Sequence, residues 1–292
     1  MDVESTVAVL GLGAMGSRLA QRLLDAGVAV HIWNRSAEAC IPLSAAGARR
    51  FATPREAVME AQIVISMLRD DAASRAVWMD STTGAAQGLD SGAIAIESST
   101  CSPDWVGELG SMVQARGAAF LDAPVLGSRP QAEAGQLIYL VGGDPEVLAR
   151  ATPILDLVSA QRLHVGGIGD GARVKLAANA LFATQVAALA EWRRTLAGQG
   201  LDADAALQAL TQTPVLSPAA IAATTLMRSG QHAPLFPIAL LRKDLRYALH
   251  PQREALPLTA AVSGMYEQAA RQGLDDLNLT AIACLAAPHA VS

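Results

Sequence analysis

The sequence predicts an α/β domain with a mostly parallel sheet, followed by an all-α domain. From residue 6 to about residue 165, short apolar runs alternate with longer segments of helical period, which is the signature of repeated βαβ units. Beyond Gly169 the strand-like runs stop and only the helical period remains. The length of 292 residues suits two domains, since single domains run to roughly 100–200 residues. The division is placed between residues 1–166 and 167–292.

Strands are expected at 7–10, 28–33, 63–67, 93–97, 119–122 and 137–141. Helix-start signals follow several of them. Thr53-Pro54-Arg55-Glu56 offers a capping hydroxyl, a proline at the first helical position and a glutamate that reaches back. Asp144-Pro145 opens a later helix in the same way. Gly27, Gly47 and Gly117 stand where helices end before the next strand. In the second half, helices are expected at about 170–198, 202–211, 218–228, 238–250, 257–272 and 276–286. No glycine- or proline-rich linker separates the halves, so the first long helix should leave one domain and enter the other, with a cleft between them.

Composition narrows the function classes. Apolar residues make up 51% and charged residues 17%, so disorder is not expected. The net charge of −5, without a basic stripe, argues against nucleic acid as the main partner. The N-terminus carries acids where a secretion signal needs a basic flank. The longest apolar stretch, around 176–189, is interrupted by Asn179 and Gln185 and falls short of the ~20 residues that span a bilayer. Cys40, Cys101 and Cys284 form no CxxC pair, which suits the reducing cytoplasm and packing roles.

The strongest motif is Gly11-Leu12-Gly13-Ala14-Met15-Gly16, placed between the first strand and a helix bearing Leu19, Leu23 and Leu24. In that context Gly11 permits a tight turn, Gly13 lets backbone approach a pyrophosphate, and Gly16 lets the helix pack closely. This is the fingerprint of a Rossmann dinucleotide-binding domain. The second strand ends in Asn34-Arg35-Ser36, with no acid for a ribose 2′-hydroxyl. Arg35 and Ser36 suit a 2′-phosphate, which favours NADP; the plainer role for Arg35 is a solvated loop residue.

Lys175 and Asn179 open the long helix, four residues apart on one face and flanked by Leu176, Ala177 and Ala178. A lysine buried there has a lowered pKa, and beside a carbonyl it can yield its proton as hydride arrives. Asn179 can fix the ammonium and the substrate oxygen. The alternative is a packed stem whose head reaches solvent.

Five motifs then occur in order: GLGAMG; SST with Pro103 following Thr100; DAPVLG; GxGxxxKxxxN; and Lys243-Asp244-Leu245. Over essentially its whole length the chain resembles the β-hydroxyacid dehydrogenases, the 3-hydroxyisobutyrate and 6-phosphogluconate dehydrogenase-like enzymes. The run DAPVLGSRPQAEAGQL is most similar to the glyoxylate and succinic semialdehyde reductase branch. The resemblance implies NADPH-dependent reduction of a small aldehyde or keto compound, with Lys175 as the acid and Asn179 in support. It implies that Met67, Leu68, Thr100 and Lys243 border the cofactor. It also implies that Ser99, Leu126, Gly127, Ser128, Phe236 and Asp244 line the substrate, and that the enzyme is a homodimer or homotetramer. Leu226, Met227, Leu256 and Leu258 are candidates for the pairing surface.

One departure stands out. Where the family commonly has serine after DAPV, this chain has Leu126, which donates no hydrogen bond to a carboxylate. Losing that donor costs about 1–3 kcal/mol. Either Gly127, Ser128 and Arg129 compensate, or the substrate is larger, less polar or not a carboxylate. Reduction of an imine is the alternative chemistry, and cofactor binding without catalysis is a third reading. The presence of Lys175 weighs against the first, and that of Lys175 together with Asn179 against the second.

Overall fold

The computed structural model describes residues 5–251 and 253–285. It divides into two compact units, one ending at Lys175 and the other beginning at Leu176.

The first unit runs β1 (Thr6–Leu10), α1 (Gly16–Asp25), β2 (Ala29–Trp33), α2 (Ile41–Ala45), β3 (Arg49–Arg50), α3 (Pro54–Val58), β4 (Ile63–Ser66), α4 (Asp71–Met79), β5 (Ile94–Glu97) and α5 (Pro103–Gln114). It continues through β6 (Ala119–Asp122), β7 (Val125–Leu126), α6 (Arg129–Glu133), β8 (Leu137–Gly143), α7 (Pro145–Leu155) and β9 (Ser159–Gly166). The strands lie in the order β3-β2-β1-β4-β5-β6-β8-β7, with β9 paired to β8. All pairs are parallel except those of β8 with β6 and β7.

Alternation along the strands builds a core on each face. Val7, Val9, Ile63, Ile65, Ile94 and Ile96 pack with Leu19 and Leu23 of α1 and with Ile154 and Leu155 of α7. Ala8, Leu10, Val64 and Ala95 pack on the other face with Trp78, Trp105, Val106 and Leu109. Because both faces are covered, the central strands read as apolar runs. The six expected strands are present, while β3, β7 and β9 were not anticipated. The expected helix starts also hold: Thr53 and Glu56 form a reciprocal cap on α3, and Asp144 caps α7.

The long helix α8 (Asp170–Gly198) carries the division between the units. The second unit continues with α9 (Ala203–Leu210), α10 (Pro218–Ser229), α11 (Ile238–Leu249) and α12 (Pro257–Arg271). Asp202 and Ser217 cap α9 and α10, and Gly230 ends α10 at φ 65°. Val186, Leu207, Leu241, Leu245 and Tyr266 fill its core.

Two expectations need correction here. The helix expected at 276–286 is a 3₁₀ turn over Leu279–Cys284, and residue 286 lies outside the described residues. The Asn278 side chain accepts from Phe236 N–H and donates to Thr280 Oγ1, so local bonds compete with an α-helical start. Met227, a candidate for pairing, is buried in the core, whereas Leu258 is exposed.

Candidate active site

The glycine motif, Asn34 to Ser36, Met67 with Leu68, and Ser99 with Thr100 follow the carboxyl ends of the parallel strands β1, β2, β4 and β5, where open α/β sheets bind ligands. The chain switches direction across the sheet between β1 and β4. The loop after β1 holds the glycine motif. Gly11 has φ 95°, and a Cβ there would lie 2.5 Å from the Met67 carbonyl oxygen. A Cβ on Gly16 would lie 2.0 Å from the Gly11 oxygen, so these two glycines are required by the protein's own packing. Gly13 differs: nothing lies within 4 Å of the place its Cβ would take. That open face, together with the uncapped first turn of α1 after Ala14 and Met15, fits a pyrophosphate on backbone N–H groups.

Asn34, at the end of β2, accepts from Leu12 N–H at 2.9 Å and donates to the Ser36 carbonyl at 2.9 Å, fixing the two loops to each other. Arg35 is exposed. The Ser36 hydroxyl donates to Glu38 at 2.5 Å, and this bond holds the Glu38 carboxyl below its usual range. No acid directly follows β2, but the bond to Ser36 holds the Glu38 carboxylate in the turn after that strand.

Met67 follows β4 and packs against the core, and Leu68 N–H donates to Ser99 Oγ at 2.7 Å. Ser99 N–H in turn donates to Glu97 at 3.0 Å, and Ser74 Oγ donates to the same carboxylate at 2.6 Å. Glu97 is fully buried, and burial pushes its carboxyl up against those bonds. Thr100 follows, half-buried. On the neighbouring strand Asp122 is the register partner of Glu97. Its Oδ2 accepts from Gly169 N–H at 3.0 Å and Ala172 N–H at 2.9 Å, at the start of α8. Burial pushes the Asp122 carboxyl up to about 7; the two amides oppose this and the charges of Glu97 and Asp170 add to it.

Leu126 lies in β7, paired with Ile138, and Gly127 follows at φ 116°. The Ser128 amide and hydroxyl are both turned to Gln131 Oε1 at 3.0 Å, where they cap α6. Lys175, on α8, is buried at 8% exposure.

In the second unit Asn179 is buried and donates to Asp244 Oδ2 at 2.7 Å. The other oxygen of Asp244 pairs with Lys243 Nζ at 2.9 Å, and the ammonium stands 5.3 Å from the Tyr247 ring centre. This pair is buried rather than exposed. Phe236 packs against the core of the unit and its N–H donates to Asn278. Cys40 and Cys101 are buried, as packing roles require, but Cys284 is exposed, with Sγ 3.5 Å from His232 Nε2.

Comparison with known proteins bears on the whole arrangement. Residues 6–167 match the sequence model of the NAD binding domain of 6-phosphogluconate dehydrogenase, and residues 169–286 match that of the NAD-binding region of NADP-dependent 3-hydroxyisobutyrate dehydrogenase. The chain belongs to the β-hydroxyacid dehydrogenase family. It is 32% identical to glyoxylate/succinic semialdehyde reductase 2 of Arabidopsis thaliana over 96% of this chain and 80% of that one. It is 33% identical to 3-sulfolactaldehyde reductase of Escherichia coli over 92% and 91% of the two chains. Among solved structures, Mycobacterium tuberculosis 3-hydroxyisobutyrate dehydrogenase with L-serine superposes at a TM-score of 0.88, with 28% identity over 97% of this chain and 99% of that one. This β-hydroxyacid dehydrogenase is therefore an oxidoreductase with an NAD(P)-binding domain. Among the described residues, no helix is long and apolar enough to cross a membrane.

Proposed function

We propose that this β-hydroxyacid dehydrogenase reduces the carbonyl of a small aldehyde or keto compound, with NADPH as its coenzyme and Lys175 as its general acid. The observation that carries this reading is a lysine buried at 8% exposure near the start of a helix whose first turn is fastened to the ligand-binding end of the sheet. When bound, NADPH supplies the hydride. The chain does the rest. Backbone N–H groups at Gly13, Ala14 and Met15 hold the pyrophosphate, and Asn34 fixes the loop that presents them. Arg35 and Ser36 bind the 2′-phosphate, which is the basis for preferring NADP to NAD. Met67, Leu68, Thr100 and Lys243 flank the coenzyme. The Lys175 ammonium gives its proton to the oxygen that gains charge as the carbonyl is reduced, and in oxidation the neutral amine takes it back. Asn179, held by Asp244, steadies the lysine on their shared helix.

Ser99, Gly127, Ser128, Phe236 and Asp244 are assigned to the substrate. Two of the relatives named above are reductases of glyoxylate and succinic semialdehyde or of 3-sulfolactaldehyde, short aldehydes that carry an acidic group, and such a compound is the first choice here. One observation favours a second reading, reduction of a C=N bond: Leu126 stands where a serine hydroxyl would meet a carboxylate. We also assign a homodimer or homotetramer, formed through the face of α8 that exposes Leu181, Ala188 and Trp192 at helical spacing.

The test is NADPH oxidation by the purified protein against glyoxylate, succinic semialdehyde, an uncharged aldehyde and a cyclic imine, repeated with NADH. Turnover of the acidic aldehydes with NADPH supports the proposal. Turnover confined to the imine moves the enzyme to the second reading.

A further inference from the structure

Strands β5 and β6 end side by side on two buried carboxyls, Glu97 and Asp122. Their surroundings differ. Glu97 receives hydrogen bonds from Ser74 Oγ and Ser99 N–H within its own end of the sheet. Asp122 instead reaches 47 and 50 residues along the chain, where one oxygen takes the N–H groups of Gly169 and Ala172. Its second oxygen is buried without a hydrogen-bond partner among the described residues. An acid is kept at this point at a cost in desolvation, and what it holds is the start of α8.

Packing around the same point leaves that start no slack. A Cβ on Gly171 would lie 2.6 Å from the Leu140 carbonyl oxygen and 2.7 Å from that of Asp122. A Cβ on Gly142 would lie 2.3 Å from the Gly167 oxygen. The first turn of α8 is thus seated directly on the ends of β6 and β8. Lys175 follows Ala172 by three residues, less than one turn, or about 4.5 Å along the axis.

We propose that Asp122 is a positioning residue for Lys175: it fastens the first turn of α8 to β6 and thereby sets where the lysine stands at the strand ends. The proposal rests on the reading of Lys175 as the acid. Asp122 does not touch the reacting atoms; it acts through the helix. Misplacing an acid by about 1 Å lowers turnover about a hundredfold, so loss of the anchor should reach kcat while leaving coenzyme binding alone.

The experiment compares Asp122→Ala, Asp122→Asn and Gly171→Ala with the parent enzyme in NADPH-dependent reduction of glyoxylate, with Lys175→Ala as the control. Amide hydrogen exchange over residues 168–176 is measured on each protein. Asp122→Ala should lower kcat at least tenfold, keep KM for NADPH within about twofold, and speed exchange at the start of α8. Asp122→Asn retains an acceptor oxygen and should recover most of kcat. Gly171→Ala keeps the acid but pushes the helix off the strand ends; it should lower kcat likewise, which covers the case in which Asp122→Ala does not fold. An unchanged kcat in Asp122→Ala, or an Asn variant as impaired as the Ala variant, overturns the proposal. If Lys175→Ala keeps full turnover, or the parent enzyme does not turn over glyoxylate, the reading of the acid or of the substrate fails separately. Hydrogen exchange then decides the anchoring: faster exchange in Asp122→Ala retains it, and unchanged exchange overturns it.

Discussion

Asn179 donates its side-chain amide to Asp244 at 2.7 Å, a buried bond that joins α8 to α11 inside the helical unit. The sequence places these residues 65 positions apart, and only the fold makes them neighbours. Asn179→Ala removes the donor and leaves one oxygen of a buried carboxylate short of a partner, at a cost of about 1–3 kcal/mol. The urea midpoint should fall accordingly. Asn179→Asp sets a second carboxylate against Asp244, so its loss should exceed that of Asn179→Ala. Equal midpoints for all three proteins would show that the bond contributes nothing.

The glycines of the loop after β1 separate two requirements. Gly16→Ala drives a Cβ to 2.0 Å from the Gly11 oxygen and should lower the melting temperature. Gly13→Ala meets nothing of the protein within 4 Å and should leave stability within about 0.5 kcal/mol, while weakening NADPH binding at least about tenfold. Fluorescence titration and thermal unfolding of the two variants check this. Retained NADPH affinity in Gly13→Ala would remove the pyrophosphate from this loop.

Arg35 and Glu38 should act in opposite directions on coenzyme choice. Arg35→Ala loses a charge-assisted contact worth about 1.5–3 kcal/mol, so NADPH affinity should fall about ten- to a hundredfold while NADH affinity stays unchanged. Glu38→Ala removes a carboxylate held at Ser36, beside the assigned phosphate, and should tighten NADPH. Parallel effects on NADPH and NADH would place the 2′-phosphate elsewhere.

Asp122 gives a pH dependence of stability with a defined sign. Its folded-state value is pushed up to about 7 from an ordinary 3.8, with burial as the main cause. The folded protein therefore holds this proton more tightly than the unfolded chain, and stability should fall as pH rises from about 4 to 7. Asp122→Asn retains an acceptor and does not titrate, so its unfolding free energy should fall less steeply across that window. Identical slopes for the two proteins would contradict the assignment; the raised Glu97 carboxyl supplies the slope common to both.

The central sheet was legible because its strands are buried on both faces and read as apolar runs. The strands missed are of another kind. β3 is two exposed arginines, β7 is two residues long, and β9 pairs only with β8 and is largely exposed and polar. Such edge strands follow from pairing to a neighbour, and their own side chains carry little signal. The glycine loop, Asn34, Lys175 and Asn179 stood out because local spacing marks them. Glu38 did not, since its contact with Ser36 depends on the turn after β2. The partners of Asp122, near the start of α8, are equally invisible to spacing, because a strand end and a helix start meet only in the folded chain.

The most direct test of the account is the turnover of Lys175→Ala with NADPH and the best acceptor of the panel, measured beside its NADPH affinity. A general acid of this kind contributes about a hundred- to ten-thousandfold, so kcat should fall by that factor while NADPH binds within about twofold of the parent. Turnover within a few-fold of the parent would contradict the account, because the proton would then come from another group.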